Sequence, residues 1–537
     1  MTETVAKRMV DRLIDEGFER IYCLPGVQND DFFDVLYDEQ DKLVPIHTRH
    51  EQGAAYMALG AAMATGKPQV CCIVPGPGFL NATAALSTAW AVNAPVFMLV
   101  GQTSARGYGK ELGELHEIPD QLSILAQLTK SAARLDDGAR GGEVIDTAME
   151  HLRSGRPRPV GIEVPVDVWT QTCAQGAVPA KAKPAVSTDD LNRAADLIRP
   201  AKRPLIVVGS GALDHADAVR ALAAEIGAPV AANRMGRGVV PASDPAALLP
   251  PVARRLWPEI DLVIGLGTRL GAKLAQWGVD GDLASIHIDI DPAEFGRGLC
   301  ADVQMLADLA DALPDLTDRA EANDRPDWQA QVAATRAAVE AELAAALAPQ
   351  KAWLDVIARY LGPEGILVSD LTQVGYVAEA MYPVERPRGY LSPGFQGTLG
   401  WSVATGLGAA DACRDRKVVT IAGDGGGMFT IQELATAKQH DIPVQTIIFN
   451  DNCFGNVQRF QIHKYGNRPI ASDLDNPDFV DLAQAFGIRG AWADTPEELA
   501  RCLEEGHAMG GPGLIEVPVG EFPSPWPFIG PRKLRGV

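Results

Sequence analysis

Two short polar motifs, separated by one strand–helix–strand unit, constrain the fold of this 537-residue chain more than any other feature. The motif GDG at 423–425 ends the apolar run VVTIA, and the motif NDN at 450–452 ends the apolar run VQTIIF. A helix-like segment from about 431 to 438 lies between them. Short apolar runs with such boundaries are typical of buried parallel strands. Because the carboxyl ends of parallel strands share one sheet edge, we expect Asp424 and Asp451 to meet there.

The chemistry of these motifs predicts a metal and a diphosphate at that edge. Two carboxylates are hard oxygen ligands suited to magnesium or calcium, and protein-bound magnesium commonly also contacts phosphate oxygens. Gly425 and Gly426 leave backbone N–H groups free to approach a diphosphate at the start of the following helix. A glycine turn between strand and helix would explain GDG alone, but it does not explain NDN at this spacing.

The spacing of the two motifs resembles the thiamine diphosphate signature, in which GDG is followed about thirty residues later by a pair of asparagines. By this resemblance Asp424 and Asp451 are metal ligands, and Asp451 replaces the usual asparagine. Cys453 is expected to complete the ligand set through its backbone carbonyl. The resemblance also implies cofactor contacts, and these fall on Gln373, Phe454 and Gly455, together with Gly425 and Gly426.

A second motif lies near the other end of the chain, where Glu51 stands in TRHEQGAAYMALGAAMATGK. The segment resembles the acetohydroxyacid synthase and 2-oxo acid decarboxylase family, in which the RHEQGA glutamate is catalytic. Its proton would be shared with a ring nitrogen of the cofactor. The alanine-rich helix predicts a buried carboxyl, and burial raises a carboxyl pKa. Stabilisation of the first helical turn by the helix dipole is the alternative role for this glutamate.

Further candidates follow from the same resemblance. In SPGFQGTLGW, Gly397 would offer its carbonyl to the cofactor and Leu399 would hold the cofactor in its bent shape, a role that is itself core packing. Gln102 ends the strand VFMLVG at the catalytic edge, and His116 lies on a loop near it; both are predicted to be catalytic. Weaker candidates are Gln28 and His463. The histidines that serve as proton donors in pyruvate decarboxylase-like and benzoylformate decarboxylase-like enzymes have no counterpart at the matching positions.

The alternation of strand-like and helix-like segments predicts an α/β protein with three doubly wound parallel-sheet domains. We place an N-terminal pyrimidine-binding domain at 1–170, a central Rossmann-like domain at 187–345 and a C-terminal diphosphate- and metal-binding domain at 350–537. An Ala-, Pro- and Lys-rich linker covers about 171–187. The resemblance implies a homodimer or homotetramer in which Glu51 serves the cofactor bound by the partner chain.

The central segment lacks the features of a flavin or nicotinamide site. Acetohydroxyacid synthases bind FAD through a GMHG loop and an RFDDR-like segment, and neither occurs here, so FAD is not expected. The glycine clusters at 209–211 and 265–267 do not spell a complete dinucleotide fingerprint, and tight strand–helix turns explain them better. An NAD enzyme is therefore disfavoured, although the sequence leaves nucleotide binding by this domain open.

Composition excludes several other classes. The net charge of −21, without a basic block to offset it, argues against a nucleic-acid partner. Eight scattered cysteines with no CxxC pair are typical of reduced thiols in a cytoplasm. The N-terminus lacks the apolar core of a signal peptide, and no apolar run reaches the roughly 18 residues of a membrane span. A cytoplasmic enzyme is predicted.

The function implied is thiamine diphosphate- and Mg²⁺-dependent decarboxylation of a 2-oxo acid through an enamine intermediate, with carboligation as a further outcome. An acetolactate synthase-type carboligase and a diketone-cleaving enzyme are alternatives within the same chemistry. A non-catalytic scaffold that only binds the cofactor is the alternative from another class. Glu51 argues against the scaffold, because diphosphate binding alone does not need that carboxyl.

Overall fold

The computed structural model describes residues 3–176, 178–530 and 532–536, and its core is three six-stranded sheets in which every pairing is parallel. Helices flank each sheet, and the central strands are almost wholly buried apolar runs. Strands covered on both faces need apolar side chains on both faces, which explains their near-continuous hydrophobicity. The predicted fold class, three doubly wound α/β domains, is confirmed.

The first sheet has the order β2-β1-β3-β4-β6-β5. Its strands are β1 Arg20–Cys23, β2 Val44–His47, β3 Gln69–Ile73, β4 Val96–Gln102, β5 Ser131–Arg134 and β6 Val160–Pro165. Its helices are α1 Val5–Asp15, α2 Asp30–Glu39, α3 Glu51–Thr65, α4 Pro77–Val92, α5 Gln121–Leu128 and α6 Gly141–Arg153. The predicted linker leads from here to the second sheet, and Ala177 within it lies outside the described residues.

The second sheet has the order β12-β11-β10-β7-β8-β9. Its strands are β7 Pro204–Val208, β8 Val230–Ala232, β9 Ala247–Leu248, β10 Leu262–Leu266, β11 Ala284–Asp289 and β12 Val303–Leu306. Its helices are α7 Thr188–Ile198, α8 Ala216–Glu225, α9 Pro250–Leu256, α10 Leu270–Trp277, α11 Leu309–Ala320 and α12 Pro326–Ala346.

The third sheet, ordered β14-β13-β15-β16-β18-β17, repeats the topology of the first although their sequences show no residue-level repeat. Its strands are β13 Ile366–Ser369, β14 Tyr390–Leu391, β15 Val418–Gly423, β16 Val444–Asn450, β17 Arg489–Trp492 and β18 Gly513–Pro518. Its helices are α13 Ala348–Leu361, α14 Gln373–Met381, α15 Ser402–Ala412, α16 Asp424–Gly427, α17 Leu434–Gln439, α18 Gly455–Lys464, α19 Phe479–Ala485, α20 Pro496–Met509 and α21 Trp526–Ile529.

The segment between the two polar motifs differs from its prediction. One helix was expected over about 431–438, but α16 forms directly after β15, a 3₁₀ turn covers Ile431–Glu433, and α17 follows. The short α16 contains three consecutive glycines, so its formation depends on the tertiary surroundings rather than on helix propensity. Its position places Asp424 at the start of a helical turn.

The first and third sheets are joined within one chain by the close contact of α3 with α15. A Cβ on Gly60 would lie 1.9 Å from the Thr405 carbonyl oxygen, and a Cβ on Gly408 would lie 1.9 Å from the Met57 carbonyl oxygen. Only glycine permits backbones to approach this closely. The contact is part of one continuous apolar core shared by the two sheets. Among the described residues, no helix is long and apolar enough to cross a membrane.

Candidate active site

Asp424 and Asp451 line a single cavity of about 400 Å³ at the carboxyl edge of the third sheet. Strands β15 and β16 are direct neighbours in register, so the residues that follow them emerge side by side. Every described residue that lines the cavity lies between positions 371 and 526. No described residue of the first sheet or its helices lines it.

Asp424 is the buried member of the carboxylate pair. It is only 2% exposed, and Asn476 Nδ2 donates a hydrogen bond of 2.7 Å to its Oδ2. Burial, together with the negative charge of Asp451, raises the pKa of Asp424 to about 6. Two carboxylates held this close disfavour each other's ionised form, and a bound cation would relieve the repulsion.

Asp451 is held in place from two sides. Gln373 Nε2 donates to its Oδ2 at 2.9 Å, and the backbone N–H of Cys453 donates to its Oδ1 at 3.3 Å. Burial and the charge of Asp451 raise the pKa of the Cys453 thiol to about 12. No cluster of three or more His, Cys, Asp or Glu side chains among the described residues could hold a metal ion. A metal here would therefore rely on two carboxylates, backbone oxygen and ligand phosphate.

The walls of the cavity contain the remaining predicted cofactor residues. Gly397, Leu399, Gly425, Gly426, Phe454 and Gly455 all line it. A Cβ on Gly455 would lie 2.6 Å from Asp451 Oδ2, so glycine lets α18 begin directly against the carboxylate. The Leu399 side chain points toward Gly426, where an added Cβ would meet it at 3.1 Å.

Asp370 fixes the turn that carries Leu399, and sequence reasoning missed it. This wholly buried carboxylate accepts hydrogen bonds from the backbone of Leu371 at 2.8 Å and Gly400 at 3.2 Å, and from the Ser402 hydroxyl at 3.2 Å. Burial nevertheless raises its pKa to about 6. Asn476 was missed as well, because it lies in an irregular loop without any motif. The only available signal for Asp370 was its place after the apolar run ILVS.

Glu51 lies outside this cavity, at the first position of α3. Its Oε2 accepts a hydrogen bond of 3.0 Å from Asn81 Nδ2, and a Cβ on Gly78 would lie 3.1 Å from its Oε1. The helix behind it is buried from Gly53 to Ala64, as predicted, whereas Glu51 itself remains partly exposed in the single chain. Asn81 had not been singled out, since it is one of several polar residues on α4.

His116 and Gln28 form the other side of this edge of the first sheet. His116 has a left-handed backbone with φ of 70°, and its carbonyl oxygen lies 2.2 Å from where a Cβ on Gly76 would be. Gln28 Nε2 donates to the Leu115 carbonyl at 3.0 Å. His116 Nδ1 and Gln28 Oε1 are buried without a hydrogen-bond partner among the described residues. Left-handed non-glycine backbone and unpaired polar atoms are typical of functional sites.

Gln102 is engaged in the interior. It is 4% exposed, its Nε2 donates to Glu163 Oε2 at 3.1 Å, and its Oε1 accepts from the Thr103 backbone at 2.8 Å. Gln121 and Arg134 also donate to the buried Glu163. This geometry favours support of the loop after β4, and a catalytic role for Gln102 stays a prediction. His463 lines the cavity near its exposed rim.

A larger cavity, of about 900 Å³, lies at the carboxyl edge of the central sheet. The glycines there serve backbone packing, since a Cβ on Gly209 would lie 2.4 Å from the Gly267 carbonyl oxygen. A Cβ on Gly267 would likewise lie 2.7 Å from the backbone of Gly211. Tight packing of two strand–helix turns therefore explains these clusters without a dinucleotide.

Comparison with known proteins identifies three consecutive domains of one family. Residues 3–124 match the N-terminal TPP binding domain of thiamine pyrophosphate enzymes, 191–316 match the central domain, and 370–517 match the C-terminal TPP binding domain. The probable 2-ketoarginine decarboxylase AruI of Pseudomonas aeruginosa is 32% identical over 96% of this chain and 94% of that protein. The acetolactate synthase isozyme 1 large subunit of Escherichia coli is 30% identical, with coverages of 98% and 96%. A probable acetolactate synthase large subunit of Methanocaldococcus jannaschii is also 30% identical, with coverages of 95% and 91%.

Proposed function

This chain belongs to the thiamine pyrophosphate enzymes, and from that premise we propose that it decarboxylates a 2-oxo acid with thiamine diphosphate and Mg²⁺. The observation that carries the proposal is the division of the predicted residues into two half-sites. One half-site is the cavity with Asp424 and Asp451. The other is the edge of the first sheet with Glu51 and His116. A protein that only bound an anion would need the cavity but not the edge with Glu51 and His116.

The cavity suits a metal–diphosphate group. Asp424, Asp451 and the Cys453 carbonyl would hold Mg²⁺, whose preference for oxygen ligands matches this set. The backbone N–H groups of Gly425 and Gly426, and the start of α18 at Gly455, would bind phosphate oxygens. The raised pKa of Asp424 supports the assignment, because a carboxylate pair that resists full ionisation is stabilised by a divalent ion.

Residues in the walls of the cavity would orient the rest of the cofactor. Leu399 and Phe454 provide apolar surface, Gln373 holds Asp451, and the Gly397 carbonyl would accept a hydrogen bond from the amino group. When bound, thiamine diphosphate supplies an electron sink for the carbanion left by loss of carbon dioxide. Asp370 contributes indirectly, since it fixes the turn that carries Leu399.

Glu51 would hold and return a proton at the pyrimidine ring nitrogen. Asn81 orients its carboxylate, and the partly exposed position leaves the other oxygen accessible to a group from outside the chain. His116 is the candidate proton donor to the reacting carbon, because its Nδ1 has no partner within the described chain. General acid–base groups of this kind contribute about 10²–10⁴-fold to rate.

We infer an oligomer with a shared site from the same geometry. Glu51 does not reach the cavity of its own chain, so a second chain is needed to bring the two half-sites together. A symmetric dimer would build two identical sites, and two such dimers would build a tetramer. The proposed domain division is that of the sequence, 1–170, 187–345 and 350–537, although α13 already begins at Ala348. FAD is not part of the proposal.

Product analysis tests the reaction. Protein loaded with thiamine diphosphate and Mg²⁺ is incubated with a panel of 2-oxo acids that includes pyruvate and 2-ketoarginine, the latter because a relative is named for it. We expect carbon dioxide and the corresponding aldehyde from at least one acid. Acetolactate from pyruvate as the main product would favour the carboligase instead, as the names of the other relatives suggest. Cofactor binding without turnover of any acid or diketone would support the scaffold.

A further inference from the structure

Gln373, at the start of α14, joins the metal-binding edge to the C-terminal segment that covers it. Its Nε2 donates to Asp451 Oδ2 at 2.9 Å and to the Gly520 carbonyl at 3.1 Å. Its Oε1 accepts from the Phe522 backbone N–H at 2.9 Å and lies 3.5 Å from Arg459 Nη2. Both the nitrogen and the oxygen of the Gln373 amide therefore have partners, which fixes the orientation of the side chain. The amide lies between the Arg459 guanidinium and the Asp451 carboxylate.

Arg459, on α18, brings a positive charge to the same cavity. Its side chain is 17% exposed, and Nη2 donates to the Phe522 carbonyl at 2.9 Å. The carboxylate beside it belongs to Glu521, which is 76% exposed and 3.7 Å away, so this ion pair is weak. Among the described residues that line the cavity, Arg459 is the only lysine or arginine. A largely buried guanidinium bound mainly to neutral carbonyl groups retains most of its capacity for an anion.

The charges of the cavity favour such a cation. Asp424 and Asp451 together cancel one divalent ion, so the negative charge of a bound diphosphate would be balanced only in part, by the single positive charge of the cofactor's thiazolium ring. The N-terminus of α18 supplies only a partial positive charge. Arg459 lies one helical turn beyond Gly455, on the same helix and in the same cavity.

We propose that Arg459 binds the diphosphate of the cofactor as a second cation beside the metal, and that Gln373 keeps it from pairing with Asp451 instead. The inference rests on the proposed function, because it takes the cavity to be the thiamine diphosphate site. It adds one claim to that function: a side chain of this chain, as well as the metal, binds the diphosphate end of the cofactor.

Binding measurements on Arg459→Gln and Arg459→Lys test the inference. Affinity for thiamine diphosphate is measured by calorimetry with saturating Mg²⁺, and affinity for inorganic pyrophosphate is measured by competition. We expect Arg459→Gln to weaken both by the same factor, about tenfold or more, as for loss of a charge-assisted hydrogen bond. Arg459→Lys should keep part of the affinity, and the loss should shrink as salt is raised. Arg468→Gln, which removes an exposed arginine outside the cavity lining, serves as the matched control.

Three results would overturn the inference. The first is unchanged affinity of Arg459→Gln for thiamine diphosphate, including the case in which only the KM for the 2-oxo acid rises and the arginine serves the substrate. The second is a loss for thiamine diphosphate that inorganic pyrophosphate does not share. The third is an equal loss for Arg459→Gln and Arg459→Lys, which would make the arginine a support for the segment around Phe522. Failure of the wild-type protein to bind thiamine diphosphate would instead refute the proposed function, so the two failures are distinguishable.

Discussion

Two inactive variants should restore each other's activity when they are combined in one oligomer. Glu51→Gln keeps the size of the side chain but cannot shuttle a proton, so we expect activity to fall about 100-fold or more while the cofactor still binds. Asp424→Ala removes the buried carboxylate of the cavity, and we expect it to lose the cofactor. The cavity wall comes from residues between 371 and 526, whereas Glu51 lies at the edge of the first sheet. The two variants therefore damage different half-sites.

The size of the recovery follows from this division. Random exchange between equal amounts of the two variants would make about half of the dimers mixed, and each mixed dimer would have one intact site of two if the proposed interface is symmetric. Total activity should therefore reach about a quarter of the wild-type value. Mixed dimers isolated through two different affinity tags should reach about half.

Steady-state decarboxylation, measured on mixtures refolded together or on co-expressed tagged chains, provides the assay. A mixture of Asp424→Ala with Asp451→Ala serves as the control, because both changes affect the cavity and no mixed dimer contains an intact site. Native mass spectrometry establishes that mixed dimers are present. If they form and stay inactive, or if the control mixture recovers equally well, the two half-sites do not belong to different chains and Glu51 has another role.

The remaining predictions concern single chains. Calorimetry with Mg²⁺ should show no thiamine diphosphate binding by Asp424→Ala, and full binding would refute the metal site. Asp451→Asn keeps an oxygen ligand, so its affinity for thiamine diphosphate should fall by less than about tenfold. The purified protein should show no flavin absorbance, and near-stoichiometric flavin would favour the acetolactate synthase-type reaction. Gly76→Ala should lower activity about tenfold or more but leave cofactor affinity unchanged, because its methyl would lie 2.2 Å from the His116 carbonyl oxygen; full activity would contradict this. Burial raises the pKa of Asp370 to about 6, so ionisation of this carboxyl lowers stability as the pH rises from about 4 to about 6; Asp370→Asn should lack this dependence, and in thermal unfolding its stability relative to the unsubstituted protein should rise between about pH 4 and about pH 8. A pH-independent difference would refute the burial argument.

The parts of the molecule that the sequence predicted are those in which one local pattern determines the structure. VVTIAG and VQTIIFN form β15 and β16 in the expected parallel register, because a doubly covered strand must be apolar throughout. The meeting of Asp424 and Asp451 follows from that register. The helix predicted over 431–438 was wrong in extent because the glycines after Asp424 form a helical turn only where neighbouring segments enclose them.

The unpredicted parts depend on contacts between distant segments. Asn476 reaches Asp424 across 52 positions from an irregular loop, and Arg459 on α18 reaches Phe522 across 63 positions. Gln102 was correctly placed at the end of β4, but its partner Glu163 lies 61 positions away on β6. Hydrophobic periodicity gives no information about partners so far apart in the sequence. The position of a side chain at a sheet edge was therefore predictable, but its hydrogen bonds were not.

In the proposed shared site, the choice between decarboxylation and carboligation would depend on two surfaces that lie apart in a single chain. The proposed proton-delivering groups, His116 and Glu51, belong to the half-site at the edge of the first sheet, whereas His463 and Trp526 line the cavity of the other half-site. An aldehyde forms when proton delivery is faster than entry of a second carbonyl compound. A change at the rim should therefore alter which acceptor enters, whereas a change at His116 should slow aldehyde formation after carbon dioxide has left and so raise the share of carboligation. We therefore propose that the assembled interface determines the reaction outcome, so that motifs in either half alone leave it open.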